Sequence, residues 1–498
     1  MLDDLDRIGP VLAMAAVAAV MLIWDLLPTG KPFPASKGRA AMVVALLGPI
    51  LSAAWAFSLL TRDETGFGFA NSVVLDDFSL FFAFLFSGIA AAVILATQDY
   101  AKRFGDYEAE FYALILFASG AMILLASSRD LILIFVALEL TSISQYIMAS
   151  MQRDERSTEA GIKYLLMGAV SSAVILYGMV YLFGMTGTTR LVAPEGELSI
   201  ATAIAANGED MRAGLLFASV MLTAGLGFKM SVVPFQMWVP DVYTGAPTPV
   251  AAFLSVASKA AAFAVVLRIF FEGLPAEVAS NTWTDIFACI AAVTMTIGNL
   301  LALVQSNIKR LLGYSSIAQA GYLMVGLAAF SGAEGGLSTS ASSVMFFLGS
   351  YAVTNLGAFI VIIAISARTG SDEISSYTGL FHRAPLLAAA LAFALISLTG
   401  IPPTAGFIAK LYVFNTAIEA GLTWLVIVAV LNSVASAFYY LRVTGIMFAG
   451  ASTSTEGVPT SNALKLALTA AVVGILFVGV APSLLMNAAK DAASVFVQ

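Results

Sequence analysis

Long apolar segments alternate with short polar ones along the whole chain. Fourteen of these segments are close to the roughly 20 apolar residues that a helix needs to cross a bilayer. In lipid the backbone must satisfy its own hydrogen bonds as a helix or as a closed barrel, and the segments lack the alternation of barrel strands. The pattern therefore predicts an all-α polytopic membrane protein with about 14 transmembrane helices and no strands. The predicted spans cover residues 10–27, 40–60, 76–97, 109–127, 131–150, 160–184, 213–237, 247–271, 283–304, 310–330, 341–367, 384–418, 421–448 and 462–486.

The composition agrees with lipid as the surrounding solvent. Of the 498 residues, 60% are apolar and only 11% are charged, whereas an ordinary soluble domain has about 25% charged residues. These values exclude a soluble enzyme, a disordered protein and a nucleic-acid binder. The chain has a single cysteine, Cys289, and a single histidine, His382. They exclude an intrachain disulfide and an iron–sulfur cluster held by this chain alone, so we expect neither a redox cofactor nor a metal in it.

The distribution of lysine and arginine predicts the orientation of the spans. With the loops numbered from the first, the odd loops and the helix ends beside them carry 14 of the 24 basic residues, and the even loops and both termini carry six. Basic loops stay on the cytoplasmic side, so both termini are expected outside. The acidic start MLDDLDRIGP lacks the basic region of a signal peptide, so the first segment is a span. The longest loop, 185–212, is polar and is predicted to face outward.

Four ionisable residues lie inside predicted spans: Glu139, Lys229, Lys259 and Lys410. A charge at the bilayer centre costs about 2.5–3.5 kcal/mol even on a lenient scale, so we interpret these residues as functional. A buried lysine can take up and release a proton near neutral pH, and a nearby carboxylate tunes its affinity for that proton. Two structural alternatives stay open. Lys410 is close enough to a helix end to reach the headgroups, and Glu139 can form a structural ion pair.

Two of the spans are interrupted by proline. Pro234 follows Lys229 in the seventh span, and Pro402 and Pro403 precede Lys410 in the twelfth. Proline breaks or kinks a helix, and two interrupted spans in matching positions are typical of a transport site built from inverted repeats. We therefore predict two inverted five-helix repeats, spans 4–8 and 9–13. The predicted units are 1–108 with three N-terminal spans, 109–272 and 283–448 as two half-channels, and 449–498 with the last span.

One long motif carries a family resemblance. The segment FKMSVVPFQMWVPDVYTGAPTPVAAFLSVASKAAAF (228–263) resembles the signature of the antiporter-like membrane subunits of respiratory complex I and of multisubunit sodium/proton antiporters. The motif covers the seventh span, its loop and the eighth span, and the count of fourteen spans matches this family over the whole chain. The segment TGIPPTAGFIAK (399–410) is similar to the N-type subunits, which have lysine in the twelfth span where M-type subunits have glutamate.

The resemblance implies roles for individual residues. Glu139 is similar to a carboxylate that pairs with the lysine at 229, Lys259 to the lysine that connects the two half-channels, and Lys410 to the lysine that releases the proton outward. Several relatives have histidine where this chain has Gln236, and glutamine cannot take up a proton at pH 7. We expect five polar side chains to hold connecting waters. They are Gln236, Ser255, Ser258, Tyr314 and Gln319.

The resemblance also implies an assembly. The chain would be a multi-pass proton-translocating subunit of an NADH–quinone oxidoreductase in a bacterial inner membrane, with both termini on the periplasmic side. Hydrophilic partner subunits would hold the flavin and the iron–sulfur clusters and reduce quinone, and neighbouring antiporter-like subunits and lipid would surround this chain.

Two other functions stay open at this point. The chain can be an ion-translocating subunit of a sodium/proton antiporter without a redox partner, because the core motif is shared. It can also be a scaffold whose buried charges are structural. The identity of the companion subunits discriminates the first alternative, and charge-neutralising mutants that keep transport would support the second.

Overall fold

The computed structural model describes residues 2–26, 35–194, 196–274, 276–330, 336–450 and 457–496. Its first half is a series of helices with one small hairpin. A 3-10 helix at Ala101–Tyr107 leads into the fifth helix. The elements are α1 Leu2–Arg7, α2 Gly9–Leu26, α3 Ala35–Thr61, β1 Gly66–Gly68, β2 Val73–Leu75, α4 Asp77–Thr97, α5 Glu108–Ala126, α6 Leu131–Ala149, α7 Glu155–Thr186, α8 Ile200–Met230 and α9 Trp238–Gly245.

The second half begins with α10, Thr248–Gly273, which winds into π-helix at Leu254–Ser258 and again at Arg268–Gly273. Short 3-10 helices lie at Ile374–Tyr377 and Ser494–Phe496. The remaining helices are α11 Ala276–Leu303, α12 Ile308–Ala328, α13 Gly336–Thr369, α14 Leu380–Arg383, α15 Pro385–Thr399, α16 Ala405–Glu419, α17 Thr423–Ala449, α18 Asn462–Val480 and α19 Ser483–Ala493.

The predicted membrane spans are confirmed. Twelve helices of the described ranges are long and apolar enough to cross a membrane, and Gly9–Trp24 and Pro385–Thr399 are shorter apolar helices. These fourteen segments correspond one to one with the predicted spans. Residue 27, where the first span was predicted to end, lies outside the described residues.

The prediction that the chain has no strands is wrong. Strands β1 and β2 pair antiparallel, with Gly66 opposite Leu75, and a turn of left-handed residues at 69–71 joins them. The backbone N–H of Val74 also donates to the carbonyl of Ser127 (2.8 Å). The hairpin follows the second span, outside the apolar segments, where edge groups can be satisfied by neighbouring loops or by water.

The predicted long loop at 185–212 is also wrong in extent. Helix α8 begins at Ile200, because Ser199 and Thr202 form a capping box in which each side chain accepts from the other's backbone N–H. Such a box satisfies two of the free N–H groups at a helix start. The polar stretch AANGEDMR (205–212) therefore lies within α8, before the apolar part of the seventh span.

Three helices form the centre of the bundle. Helix α10 is buried along its apolar window, and α12 and α13 are almost fully buried. The outer helices α3, α7 and α17 instead expose much of their apolar surface, as helices in contact with lipid or with partner subunits do. Polar side chains on α10 and α12 therefore lie in the protein interior rather than against lipid.

The odd-numbered loops converge on one face, which we call the odd face. Asp241 of α9 accepts from Lys163 (3.2 Å) and from Arg310 (2.8 Å). Lys163 lies just after the fifth loop, and Arg310 lies just after the ninth. Lys309 pairs with Asp372 of the eleventh loop (3.1 Å). Although burial alone would raise the pKa of the Asp241 carboxyl, Arg310 and Lys163 hold it below its ordinary value. The alternating up-and-down order of spans requires this arrangement.

The opposite, even face is closed by a buried group of four charges, which we call the four-charge cluster. Arg268, fully buried, donates to Asp76 (2.7 Å) and to Glu272, and Arg129 donates to Glu272 (2.8 Å). The four residues come from three separate parts of the sequence, and the fold brings them together.

Candidate functional site

The seventh span is broken directly after Lys229. Helix α8 ends at Met230, and Ser231 adopts the left-handed conformation (φ +67°). Pro234 lies in the non-helical stretch that follows, and α9 resumes at Trp238. The break predicted at Pro234 is confirmed, and it leaves Lys229 in the last turn of a half-helix.

The twelfth span is broken before Lys410. Helix α15 ends at Thr399, where Gly400 adopts φ +91°, and α16 starts at Ala405. Pro402 and Pro403 occupy the gap and cannot donate backbone hydrogen bonds. This predicted break is confirmed as well.

Lys229 is bound by two hydroxyl groups of α6. Its Nζ donates to Ser142 Oγ (2.6 Å) and to Tyr146 OH (3.4 Å). The side chain is 5% exposed. Ser142 in turn donates to the carbonyl of Leu138 (2.6 Å), so its lone pairs are free to accept from the lysine.

Glu139 of α6 lies near Lys229 of α8 but forms no ion pair with it. The carboxylate is half-buried and accepts a hydrogen bond from Ser172 of α7. Within the described ranges, the lysine ion pairs shorter than 4 Å are made by Lys163 and Lys309. In this structure the two charged side chains form no ion pair, and Ser142, one turn along α6 from Glu139, binds Lys229.

Lys259 lies in the middle of α10, just after its first π-helical turn. Its Nζ donates to the carbonyl oxygen of Ser316 and to the hydroxyl of the same residue (2.7 Å). The Ser316 hydroxyl also accepts from Tyr351 OH (3.1 Å). Lys259 is 1% exposed, so its ammonium group lies in the protein interior.

Lys410 is bound by the end of the helix that precedes its own. Its Nζ donates to the carbonyls of Leu398 (3.1 Å) and Thr399 (2.8 Å) and to Ser433 Oγ (2.8 Å). It also lies 4.6 Å from the ring centroid of Tyr322. The last carbonyls of a helix have no helical partner and carry partial negative charge, which suits a cation. Lys410 is 5% exposed and points into the protein, not towards the headgroups.

We call the three buried lysines and the hydrogen-bonded side chains around them the row. Of the five predicted supporting residues, Ser258 and Gln319 lie in the row, whereas Tyr314 and Gln236 lie outside it. Ser258 donates to Gln145 (3.3 Å), Ser255 accepts from Asn355 (2.6 Å), and Gln319 donates to the Leu398 carbonyl that Lys410 also uses (3.2 Å). Tyr314 instead lies against Arg310 near the odd face, 5.9 Å from its guanidinium to the ring centroid.

Gln236 is the second residue outside the row. It lies half-buried in the broken stretch after Pro234, and its Oε1 has no hydrogen-bond partner among the described residues. It does not contact Lys229, so the position does not extend the lysine's hydrogen bonds.

Sequence reasoning named Glu139 and Gln319 but missed the other polar groups around the lysines. Together they form polar stripes at a spacing of three or four residues, which places them on one side of a helix. The stripe on α6 bridges the surroundings of Lys229 and Lys259, and the stripe on α12 bridges those of Lys259 and Lys410. The α6 stripe is Glu139, Ser142, Gln145 and Tyr146, and the α12 stripe is Ser315, Ser316, Gln319 and Tyr322.

The comparisons with known proteins match most or nearly all of the chain. A family model described as NADH:quinone oxidoreductase/Mrp antiporter, TM, matches residues 128–436. An NADH-quinone oxidoreductase subunit N of Dehalococcoides mccartyi is 40% identical over 497 residues, 99% of this chain and 100% of that protein.

Two solved structures are similar over nearly their full length. A chain of respiratory complex I from Thermus thermophilus, with bound aureothin, has a TM-score of 0.76 at 32% identity and covers 96% of this chain and 98% of that one. A chain of the Mrp complex from Dietzia sp. has a TM-score of 0.84 at 20% identity, with 100% and 98% covered. The second likeness concerns the fold alone.

Proposed function

Because this chain belongs to the family of NADH-quinone oxidoreductase N subunits, we infer that it is the proton-translocating membrane subunit of a bacterial respiratory complex I. It works beside other membrane and hydrophilic subunits, and NADH oxidation and quinone reduction occur in those partners. The Mrp antiporter, whose likeness is one of fold, is the alternative.

We propose that Glu139, Lys229, Lys259 and Lys410 form the proton relay. One observation carries this proposal: the three lysines are buried, and within the described ranges none lies within 4 Å of a carboxylate. A buried lysine held only by hydroxyl and carbonyl oxygens has no fixed counter-charge, so it gives up its proton at a lower cost than a paired lysine. Permanent ion pairs, as between Arg268 and Asp76 (2.7 Å), are the arrangement expected of structural charges.

The order of the relay follows from the hydrogen bonds. Lys229 contacts Tyr146, and the neighbouring Gln145 binds Ser258, which precedes Lys259. The α12 stripe then runs from Ser316, bound to Lys259, to Gln319, which shares a carbonyl with Lys410. Gain or loss of charge at Glu139 changes the proton affinity of Lys229, because an opposite charge nearby favours the ammonium form. Moving one proton outward costs about 2.3 kcal/mol per 100 mV, which electron transfer in the partners supplies.

We also propose that residues 109–272 and 283–448 are two inverted half-channels, with 1–108 and 449–498 as flanking units. Each half has a broken span with a buried lysine at the break and a helix with a polar stripe. In the first half the lysine precedes the break, and in the second it follows it. The two broken spans are five spans apart, and an odd offset gives them opposite directions across the membrane, as inverted repeats require.

We propose further that both termini face the periplasm. The basic residues of the odd loops support this orientation. Reporter fusions at the C-terminus test it: alkaline phosphatase should be active there, and a cytoplasmic fluorescent reporter should stay dark.

The function is tested with Lys259→Ala. We expect the assembled complex to lose proton pumping and quinone-linked turnover, while NADH oxidation by a soluble artificial acceptor continues. The matched control is Lys465→Ala, since Lys465 is an exposed lysine of α18 outside the row, and this variant should pump normally. Normal pumping by Lys259→Ala would refute the relay.

The antiporter alternative is tested by gentle purification. Flavin and iron–sulfur subunits that oxidise NADH should purify with this chain. Purification with small membrane subunits only, without redox activity, would transfer the assignment to the antiporter.

A further inference from the structure

Gln145 occupies the point where the surroundings of Lys229 and Lys259 meet. Its Oε1 accepts from Ser258 Oγ (3.3 Å), and Ser258 is the residue before Lys259. Tyr146, the residue after Gln145, accepts from Lys229 (3.4 Å). The amide is 1% exposed.

One end of this amide is satisfied and the other is not. Besides Ser258, Tyr164 OH donates to Oε1 (2.8 Å), and the Tyr164 ring is fixed by stacking on Trp238 at 4.5 Å. Nε2, with two N–H donors, has no hydrogen-bond partner among the described residues. Turning the amide over leaves the same result, because hydroxyl groups can accept as well as donate.

An amide that served only to hold helices together would be expected to bind protein at both ends. A buried donor without a partner costs about 1–3 kcal/mol, and in native proteins such groups ordinarily bind an ordered water. Here the unpartnered amide belongs to a residue whose neighbours adjoin both lysines of the proposed relay, Tyr146 on one side and Ser258 on the other. A glutamine does not itself take up a proton at pH 7, so its contribution is to orient the groups that do.

We propose that Gln145 is a positioning residue for proton transfer between Lys229 and Lys259. One end of its amide orients the Ser258 hydroxyl, and the other end binds a water that continues the hydrogen-bonded path. This inference rests on the proposed relay and adds a link that none of the four charged residues provides.

The test is Gln145→Leu, which keeps the size of the side chain and removes its polar end. We expect proton pumping and quinone-linked turnover to fall about tenfold, because a misplaced transfer path costs orders of magnitude in rate. Gln152→Leu is the matched control. Gln152 donates to Tyr100 (3.0 Å), outside the row. That variant should keep turnover.

Two further variants separate positioning from packing. Gln145→Glu should restore much of the turnover and add a titration step to its pH profile, because the new carboxyl titrates within the path. Ser258→Ala should lower turnover as Gln145→Leu does, and the double variant should be no worse than the worse single one. Packing alone does not produce the new titration step, and the non-additivity shows that the two side chains act as a pair.

The outcomes are distinguishable from those of the relay itself. Wild-type turnover and pH profile in Gln145→Leu would overturn the inference, as would equal losses in Gln145→Leu and Gln152→Leu. If Gln145→Leu does not assemble, Ser258→Ala decides, and wild-type turnover there overturns the inference. Loss of pumping in Lys259→Ala together with normal pumping in Ser258→Ala would leave the relay standing and remove Gln145 from it.

Discussion

Lys229 and Lys410 occupy the two broken spans, but different parts of the protein bind them. Lys229 is held by the side-chain hydroxyls of Ser142 and Tyr146, with Glu139 on the same helix. Lys410 is held mainly by two backbone carbonyls at the end of α15. The first arrangement depends on which side chains α6 carries. The second depends on where α15 stops.

This difference predicts how the two ends of the relay respond to change. A hydroxyl ligand is removed by one substitution, whereas a carbonyl ligand is removed only by moving the backbone. The neighbouring carboxylate also gives Lys229 an electrostatic control that Lys410 lacks in the described structure. We therefore expect the Lys229 end to be sensitive to side chains and the Lys410 end to be sensitive to the geometry of the break.

The largest effect is expected from Gly400→Val. Gly400 has φ +91°, which costs an L-residue roughly 1–2 kcal/mol, and a Cβ there would lie 3.1 Å from Lys410 Cδ. Displacing the break should reduce quinone-linked turnover by about a hundredfold. Gly421→Val is the control, because Gly421 has φ +79° but open space around it. It should lower stability without lowering the turnover of the complex that assembles. Equal losses of turnover in both variants would contradict this account.

A smaller and unequal effect is expected from removing one hydroxyl at each lysine. Ser142→Ala removes the shortest contact of Lys229 (2.6 Å) and should lower turnover about tenfold. Ser433→Ala leaves Lys410 with both carbonyls and should lower turnover about twofold. Both variants are measured by steady-state turnover and proton pumping in membrane vesicles. A larger loss in Ser433→Ala than in Ser142→Ala would contradict the comparison.

Neutralising the carboxylate near Lys229 should have a moderate effect. Glu139→Gln keeps a group that can accept from Ser172 but removes the charge, so turnover should fall about threefold and its pH profile should shift. Glu419→Gln is the control, since Glu419 is exposed at the end of α16 and accepts from Asn415 (2.6 Å). An unchanged pH profile in Glu139→Gln would show that the two breaks do not differ electrostatically.

The smallest effect concerns the half-helix that follows Lys229, which Asp241 ties to Lys163 and Arg310. The pKa of Asp241 is held below its ordinary value, so the carboxylate stabilises the folded state above the unfolded pKa of about 3.9 and loses this contribution as the pH falls. Asp241→Asn should therefore lower the melting temperature at pH 7, by an amount worth about 0–1 kcal/mol for a half-exposed bridge. The difference from wild type should shrink towards pH 4. A difference that grows on acidification would contradict the sign.

The sequence was sufficient to find the charged residues and not their ligands. Glu139, Lys229, Lys259 and Lys410 are conspicuous because charge is rare in apolar spans. Ser142, Ser316 and Ser433 are not, since serine is common in membrane helices and only the packing of α6, α12 and α17 shows which hydroxyl faces a lysine. The spacing of Glu139, Ser142 and Gln145 does place them on one side of a helix, and that signal was available. The carbonyls of Leu398 and Thr399 leave no trace in side-chain identity.

The four-charge cluster constrains the order in which the protein is assembled during synthesis. Asp76 and Arg268 are 192 residues apart in the chain. At about 5–20 residues per second of synthesis, Asp76 is made roughly 10–40 seconds before Arg268. During that interval the carboxylate has to stay in the wet interfacial layer or be covered by the insertion machinery. Closure of the even face therefore has to wait for α10, and a ribosome stalled before that helix would leave an unsealed intermediate for quality control to remove.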